Sequence, residues 1–342
     1  MTQYTGKNLI NVCASGSSGS TLLSNMLDLH PDIACGDELF SFSTPLLYED
    51  YNSFLQHAKL LRLSGIPGHP YHEGRVLFKH LNHFNLNSTT IWRWIRETNN
   101  FNDFVERLHN YIQQLTGKSF WAEKTPRNAR LIHLFLKQFP DAKVLHLVRD
   151  PRDVVISLKR RGKSTLEAVN SWLTSVAPPI AIQNNPRLMH IRYEDLCRKP
   201  DVTLMSAISH IGVEVIPEYY NTDVHRSSSL IPHKGHKSWH ARPGEKFSTK
   251  GIGGWKDHDL DWQRIGQTRL TSHYAKTLGL EQLTLQQIAS DFGYDYPESS
   301  TINSSYQPFA VKLKSSALRR WIWQRAGVKD FLPAVEHSGL EI

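Results

Sequence analysis

Cysteine is scarce in this chain and poorly spaced for joint work: Cys13, Cys35 and Cys197 are the only three in 342 residues. That scatter excludes a disulfide framework and a cysteine-based zinc site, so reduced, buried thiols are expected. Long apolar runs are missing as well. None approaches the ~20 residues a membrane-spanning helix needs, and the opening MTQYTGKNLI lacks the basic-then-apolar layout of a secretory signal. A cytoplasmic location without membrane association is expected. No internal repeat or extended low-complexity segment is present. Hydrophobic residues at 39% and charged residues at 21% make an ordinary globular balance. Acid is in deficit: 40 Lys and Arg against 32 Asp and Glu leave a net charge of +8. Such an excess favours an anionic partner, whether nucleotide, acidic substrate, nucleic acid or membrane surface. Nucleic acid is set aside, because neither a basic face interleaved with aromatics nor a known module is evident.

Apolar, strand-like runs alternate with helix-like ones, the signature of a parallel α/β sheet. Strands are expected at 8–13, 76–80, 120–123, 143–148 and 189–193, and helices at 21–29, 102–115, 127–138, 153–161 and 202–211. Pro126 and Pro151 each open a helix at its first turn, and Pro140 follows the end of one. A main domain is expected over residues 1–298. It contains an insertion at 41–115 and a basic, His-, Ser- and Gly-rich lid at 221–256. Residues 299–342 form a separate basic, amphipathic and helical tail around VKLKSSALRRWIWQRAG.

A further lack is local. The stretch ASGSSGST (residues 14–21) follows the first strand and has the spacing of G-x-x-x-x-G-K-[ST], yet Ser20 stands where the lysine belongs. Such a turn aims backbone N–H groups and a helix dipole at one point, which suits an anion. The expected fold is accordingly a P-loop-NTPase-like three-layer α/β fold with a central parallel sheet. The nucleotide-triphosphate machinery is compromised, however: the nearest acidic candidate for magnesium, Asp150, directly follows Arg149. A serine-rich turn that merely caps a helix is the plain alternative.

Four more polar stretches fall at strand ends, where open α/β sheets bind ligands: WAEKTP (121–126), VRDPRD (148–153), RYEDL (192–196) and KGIGGWK (250–256). With them the chain resembles the sulfotransferases that use 3′-phosphoadenosine 5′-phosphosulfate (PAPS), closest in motif style to tyrosylprotein, carbohydrate-type and bacterial members. Ser17-Ser18-Gly19-Ser20-Thr21-Leu22-Leu23 resembles the family's R-S-G-T-T-L-L, with His30-Pro31 following. Arg149–Asp153 with Ser157 resembles its second signature, and the E-K-T-P, Y-E-D-L and G-x-W segments come in the family's order over about residues 8–257. The resemblance implies transfer of a sulfonate group from PAPS to an acceptor hydroxyl, releasing 3′,5′-ADP, with no metal expected. PAPS carries two separate anionic groups, so two anion sites are needed. The glycine loop, Ser17 to Thr21, suits the 5′-phosphosulfate. Arg149 and Ser157 suit the 3′-phosphate, the arginine through its forked donors. By resemblance Lys250 and Gly251 close over that phosphate and Tyr193 lies near the adenine.

The acceptor hydroxyl needs a base within hydrogen-bond reach. Glu38, in HPDIACGDELF, is preferred because its segment looks like the one carrying the catalytic glutamate of tyrosylprotein sulfotransferases. His80, in VLFKHLNH, is the second candidate, and Asp37 a third. Two departures from the family pattern stand out. Ser17 occupies a place usually held by a basic residue, for which Lys124 is the expected substitute, with Ser248 or Thr249 able to donate from the lid. The lid itself is one residue short. His233, His236 and His240 have metal-like spacing but no companion ligands. The tail packs on its own domain or on a second subunit, which allows a homodimer. The acceptor is left open among small molecules, lipids, carbohydrates and peptides. A kinase or NTPase and a non-catalytic PAPS-binding protein are the competing readings.

Overall fold

The computed structural model describes residues 3–39, 41–43, 45–52, 54–55, 80–217, 248–270, 279–280, 283–296, 309–310 and 335–337. Strand β1 (Leu9–Ala14) is buried over its whole length, as expected of a parallel strand covered on both faces. With β2 (Ile33–Cys35), β3 (Phe120–Lys124), β4 (Lys143–Val148) and β5 (Leu188–Arg192) it forms a five-stranded sheet in the order β2-β3-β1-β4-β5. Every pairing in it is parallel.

Alternation along the strands sorts side chains into two cores. Leu9 and Cys13 of β1 and Trp121 of β3 join one cluster, and Ile10, Val12, Ala14 and Ala122 join another. Helices cover both faces. They are α1 (Ser20–Asp28), α2 (Pro45–Glu49), α3 (Ser88–Glu97), α4 (Phe101–Thr116), α5 (Ile132–Gln138), α6 (Pro151–Lys159), α7 (Thr165–Ala181), α8 (Tyr193–Arg198) and α9 (Pro200–Ile211). The first cluster takes Phe101, Phe104 and Leu108 from α4 and Phe135 from α5, each buried side chain contributing roughly 1.5–3 kcal/mol. The second takes Leu23 and Leu27 from α1 and Leu204 and Ile208 from α9.

Local chemistry sets the helix ends. The Asn100 side chain accepts from Asp103 N–H to start α4, and Gly117, in the left-handed region at φ 71°, ends it. Ser164 and Glu167 form a reciprocal capping box that starts α7.

Several expectations need correction. The P-loop-NTPase-like fold is not supported, because neither half of that machinery is in place. Ser20 is simply the first residue of α1. The Asp150 carboxylate is fully engaged, accepting from Arg152 N at 2.9 Å and gripping the Arg152 guanidinium at 2.7 Å, so it is committed to protein rather than to a metal ion. The chain is an α/β protein with a central parallel sheet. Of the C-terminal tail expected over 299–342, the described parts are two short strands, β7 (Phe309–Ala310) and β8 (Val335–His337), which pair antiparallel in a small second sheet with β6 (Arg269–Leu270). VKLKSSALRRWIWQRAG lies outside the described residues, as does the lid up to residue 247. Of the strand expected at 76–80 only His80 is described. It is in the left-handed region at φ 55° and opens a 3₁₀ turn, Leu81–Phe84. Among the described residues no helix is long and apolar enough to cross a membrane, an observation that does not establish the expected cytoplasmic location.

Candidate active site

From β1 the chain runs outward to β2 at one edge of the sheet and from the adjacent β4 it runs outward to β5 at the other, so the crevice beyond the carboxyl ends of β1 and β4 is a topological switch point. The β1–α1 loop opens into it. Gly19 precedes α1 at φ 87°, and no side chain caps the helix, which removes the plain helix-capping reading of the serines. A Cβ on Gly19 would stand 2.5 Å from Cδ2 of Tyr193, so glycine is required both by its torsion and by the ring lying against it. Ser17 also has a positive φ, 65°, unusual for a residue with a side chain. Its Oγ is buried without a hydrogen-bond partner, whereas Ser18 Oγ is satisfied by Ser15 Oγ at 2.5 Å. A buried hydroxyl with no protein partner, beside uncapped helix N–H groups, is the polarity an anionic group would complete.

Arg149, just past β4, ties this loop to the lid. Its Nη1 donates to the Ser17 carbonyl at 2.8 Å, its Nη2 donates to the Gly251 carbonyl, and its guanidinium lies 4.6 Å from the centre of the Tyr193 ring. Ser17, Gly19, Arg149, Tyr193 and Gly251 are therefore one contact group. Ser157 sits half-buried on α6, and Ser20 and Thr21 open α1. Ser248, Thr249 and Lys250 are exposed, and Ser248 Oγ accepts from Lys250 N at 3.3 Å, turned to the lid's own backbone.

Lys124 ends β3 on the other flank of β1. It is 2% exposed, and its Nζ lies 3.8 Å from Oε1 of Glu38, whose side chain is 27% exposed. A buried ammonium thus meets the one end of a carboxylate that also reaches solvent. The His80 ring stacks on His83, which bonds to Asp37, the residue before Glu38.

The comparisons with known proteins give the family and the fold. The sulfotransferase family model matches residues 10–217, well over half of the chain. The chain belongs to the sulfotransferase family. The sulfotransferase domain of the Synechococcus PCC 7002 olefin synthase shares its fold, with 22% identity, a TM-score of 0.59, and 86% of this chain and 98% of that one covered. The sulfotransferase domain of the curacin biosynthetic pathway aligns at 22% identity and a TM-score of 0.44 over 65% of this chain and 80% of that one. Mouse sulfotransferase SULT7A1, complexed with PAP, aligns at 14% identity and a TM-score of 0.41 over 80% and 84%. No curated protein matches. Family membership completes the correction of the fold, which is the α/β sulfotransferase fold with its central parallel sheet and not a P-loop NTPase fold.

Within this family member, three polar residues of the motifs do structural work that the sequence did not reveal. Glu123, 1% exposed, faces the side of the sheet opposite to Lys124. It accepts from Thr125 Oγ1 at 2.6 Å, from Leu39 N at 3.2 Å and from Asn128 Nδ2, pinning the residue after Glu38 to β3. Burial pushes its carboxyl up to about 7 despite those bonds. Asp153 accepts from Gly253 N at 2.8 Å and Trp255 N at 3.0 Å, clamping the lid to α6, while Arg152 lies 3.9 Å over the Trp255 ring. Arg149 itself bonds to carbonyls of the loop and the lid. Glu194 accepts from Asp150 N at 3.0 Å and from the Tyr294 hydroxyl at 2.6 Å, fixing the turn after β4. Position in a strand-end motif was the available signal, but apart from Thr125 and Asn128 the partners lie 44 to 102 residues away along the chain.

Proposed function

We propose that this sulfotransferase moves the sulfonate group of PAPS to an acceptor hydroxyl. The observation that carries the reading is the joining of Ser17, Gly19, Tyr193 and Gly251 around Arg149, beside a β3 whose end holds Lys124 against Glu38. PAPS, when bound, supplies the sulfonate and departs as 3′,5′-ADP. The loop residues Ser17 to Thr21 hold the 5′ anionic group through backbone N–H groups, the positive end of α1 and the unpaired Ser17 hydroxyl. Arg149 and Ser157 hold the 3′-phosphate, Lys250 and Gly251 close over it, and Tyr193 supports the adenine. Lys124 places a positive charge where negative charge develops on the transferred group and the leaving oxygen. Glu38, half in water and held beside Lys124, takes the proton of the acceptor hydroxyl.

Two measurements test the reading. Calorimetry should show 3′,5′-ADP binding and no magnesium-dependent ATP binding; the reverse preference would overturn it. A transfer assay with PAPS over small alcohols, sugars, lipids and peptides should show turnover, abolished in Glu38→Gln while 3′,5′-ADP still binds. Binding of 3′,5′-ADP with no turnover on any acceptor would instead mark a non-catalytic PAPS-binding protein.

A further inference from the structure

Asp37, the residue before Glu38, belongs to a cluster with two histidines, one of them the alternative base His80. Ligand atoms of Asp37, His80 and His83 all lie within 4.8 Å of one another. Asp37, next to Glu38 in the chain, is 5% exposed, and its Oδ2 lies 2.5 Å from Nδ1 of His83. His80 and His83 are the first and fourth residues of one tight turn, a spacing that superposes side chains when the turn is 3₁₀. Their rings stack at 5.2 Å with an interplanar angle of 28°. His80 itself holds a left-handed φ of 55°, uncommon for a residue with a side chain.

A single imidazole suffices to pair with a buried carboxylate. A second one stacked on it brings either a second positive charge, which repels the first, or a second lone pair. The geometry points to the second: we propose that Asp37, His80 and His83 form a binding site for a divalent first-row transition metal such as Zn²⁺. Two imidazoles and a carboxylate are a donor set suited to that class rather than to Mg²⁺ or Ca²⁺, which prefer oxygen alone. Zinc ligands at about 2.0–2.2 Å from a tetrahedral ion stand about 3.4 Å apart. Asp37 and His83, at 2.5 Å, must open by about 0.9 Å and the widest pair must close by at most about 1.4 Å, within reach of side-chain torsions. Three protein ligands leave one position for water or for an oxygen of the acceptor.

The test uses the full-length chain without a histidine tag and without nucleotide, so it stands apart from the transfer reaction. Titration with Co²⁺ should give one equivalent of tetrahedral d–d absorption, displaced by Zn²⁺. His83→Ala and His80→Gln should each lose the absorption and weaken Zn²⁺ binding at least ~10-fold. Zn²⁺ should raise the melting temperature of the wild type and not of either variant, which keeps the test valid for whichever variant folds less well. A triple variant, His233→Ala, His236→Ala and His240→Ala, should keep the absorption; if it alone loses it, the metal belongs to the lid and the proposal fails. Absence of Co²⁺ absorption in the wild type would leave Asp37 and His83 as a buried ion pair and overturn the site.

Discussion

Replacing Asp153 by asparagine isolates the lid clamp from the rest of the site. The carboxylate accepts two backbone N–H bonds from the lid, at 2.8 Å from Gly253 and 3.0 Å from Trp255. Asparagine is nearly isosteric, but it keeps one acceptor oxygen and turns an N–H₂ toward the other donor. One charge-assisted bond is lost, worth about 1.5–3 kcal/mol when the acceptor is ionised. The cost falls on the closed lid, since an open lid exposes those N–H groups to water. Lys250 and Gly251 ride on this segment, and Gly251 touches Arg149 and Tyr193. Asp153→Asn should therefore weaken 3′,5′-ADP binding by about 10- to 100-fold by calorimetry, the affinity equivalent of that free energy. The KM for PAPS should rise with it, while kcat at saturating PAPS stays within a few-fold, because neither Lys124 nor Glu38 is touched. Trp255 emission supplies an independent check, since its ring leaves the Arg152 guanidinium when the lid loosens. Changed emission with unchanged 3′,5′-ADP affinity would refute the idea that lid position governs nucleotide binding. A collapse of kcat alone would move Asp153 into the chemistry.

Three further outcomes follow from the same geometry. Lys124→Ala removes the buried charge 3.8 Å from Glu38 and should lower turnover by ~10²-fold or more with 3′,5′-ADP affinity little changed; near-normal turnover would sink the assignment. Gly19→Ala puts a methyl group 2.5 Å from the Tyr193 ring on a backbone at φ 87°, and should weaken 3′,5′-ADP binding at least ~10-fold by calorimetry, whereas undiminished binding would place the nucleotide elsewhere. Glu123 keeps its proton up to about pH 7 in the folded chain and loses it at the ordinary carboxyl value when unfolded, so stability falls as pH rises from about 4.5 to about 7, by up to ~3 kcal/mol. Glu123→Gln should flatten that slope in urea unfolding between about pH 5 and about pH 8, and an unchanged slope would assign it to other groups.

The sheet was largely legible because its strands are apolar runs with strong edges. β1, β3, β4 and β5 fall within one or two residues of expectation. β2, the three residues Ile33–Cys35, is too short to show any period. Helix α7 was hidden by Pro178 and Pro179, which read as breakers but sit near its carboxyl end, and by a capping box that local reading passed over. The segment 127–138 reads as one helix, yet it begins as a 3₁₀ turn, Pro126–Leu131, before α5. The positions of Glu38, Lys124, Arg149 and Tyr193 could be named from motifs. Their partners could not, because hydrogen bonds such as Asp153 to Gly253 or Glu123 to Leu39 join segments that only the fold brings together.

The serine at position 17 shows how strand order resolves what spacing leaves open. In the sequence it is only a missing positive charge. In the fold, β1 lies between β3 and β4, so the residue ending one neighbour and the residue following the other stand on opposite flanks of the loop. Lys124, in register with Val12, is one, and Arg149, one residue past β4, is the other. Arg149 reaches the loop through the Ser17 carbonyl, a contact that depends on the backbone at that position and not on its side chain. Of these two, the Arg149 guanidinium brings positive charge to the loop itself, Lys124 is held against Glu38, and residue 17 carries a hydroxyl in a left-handed turn.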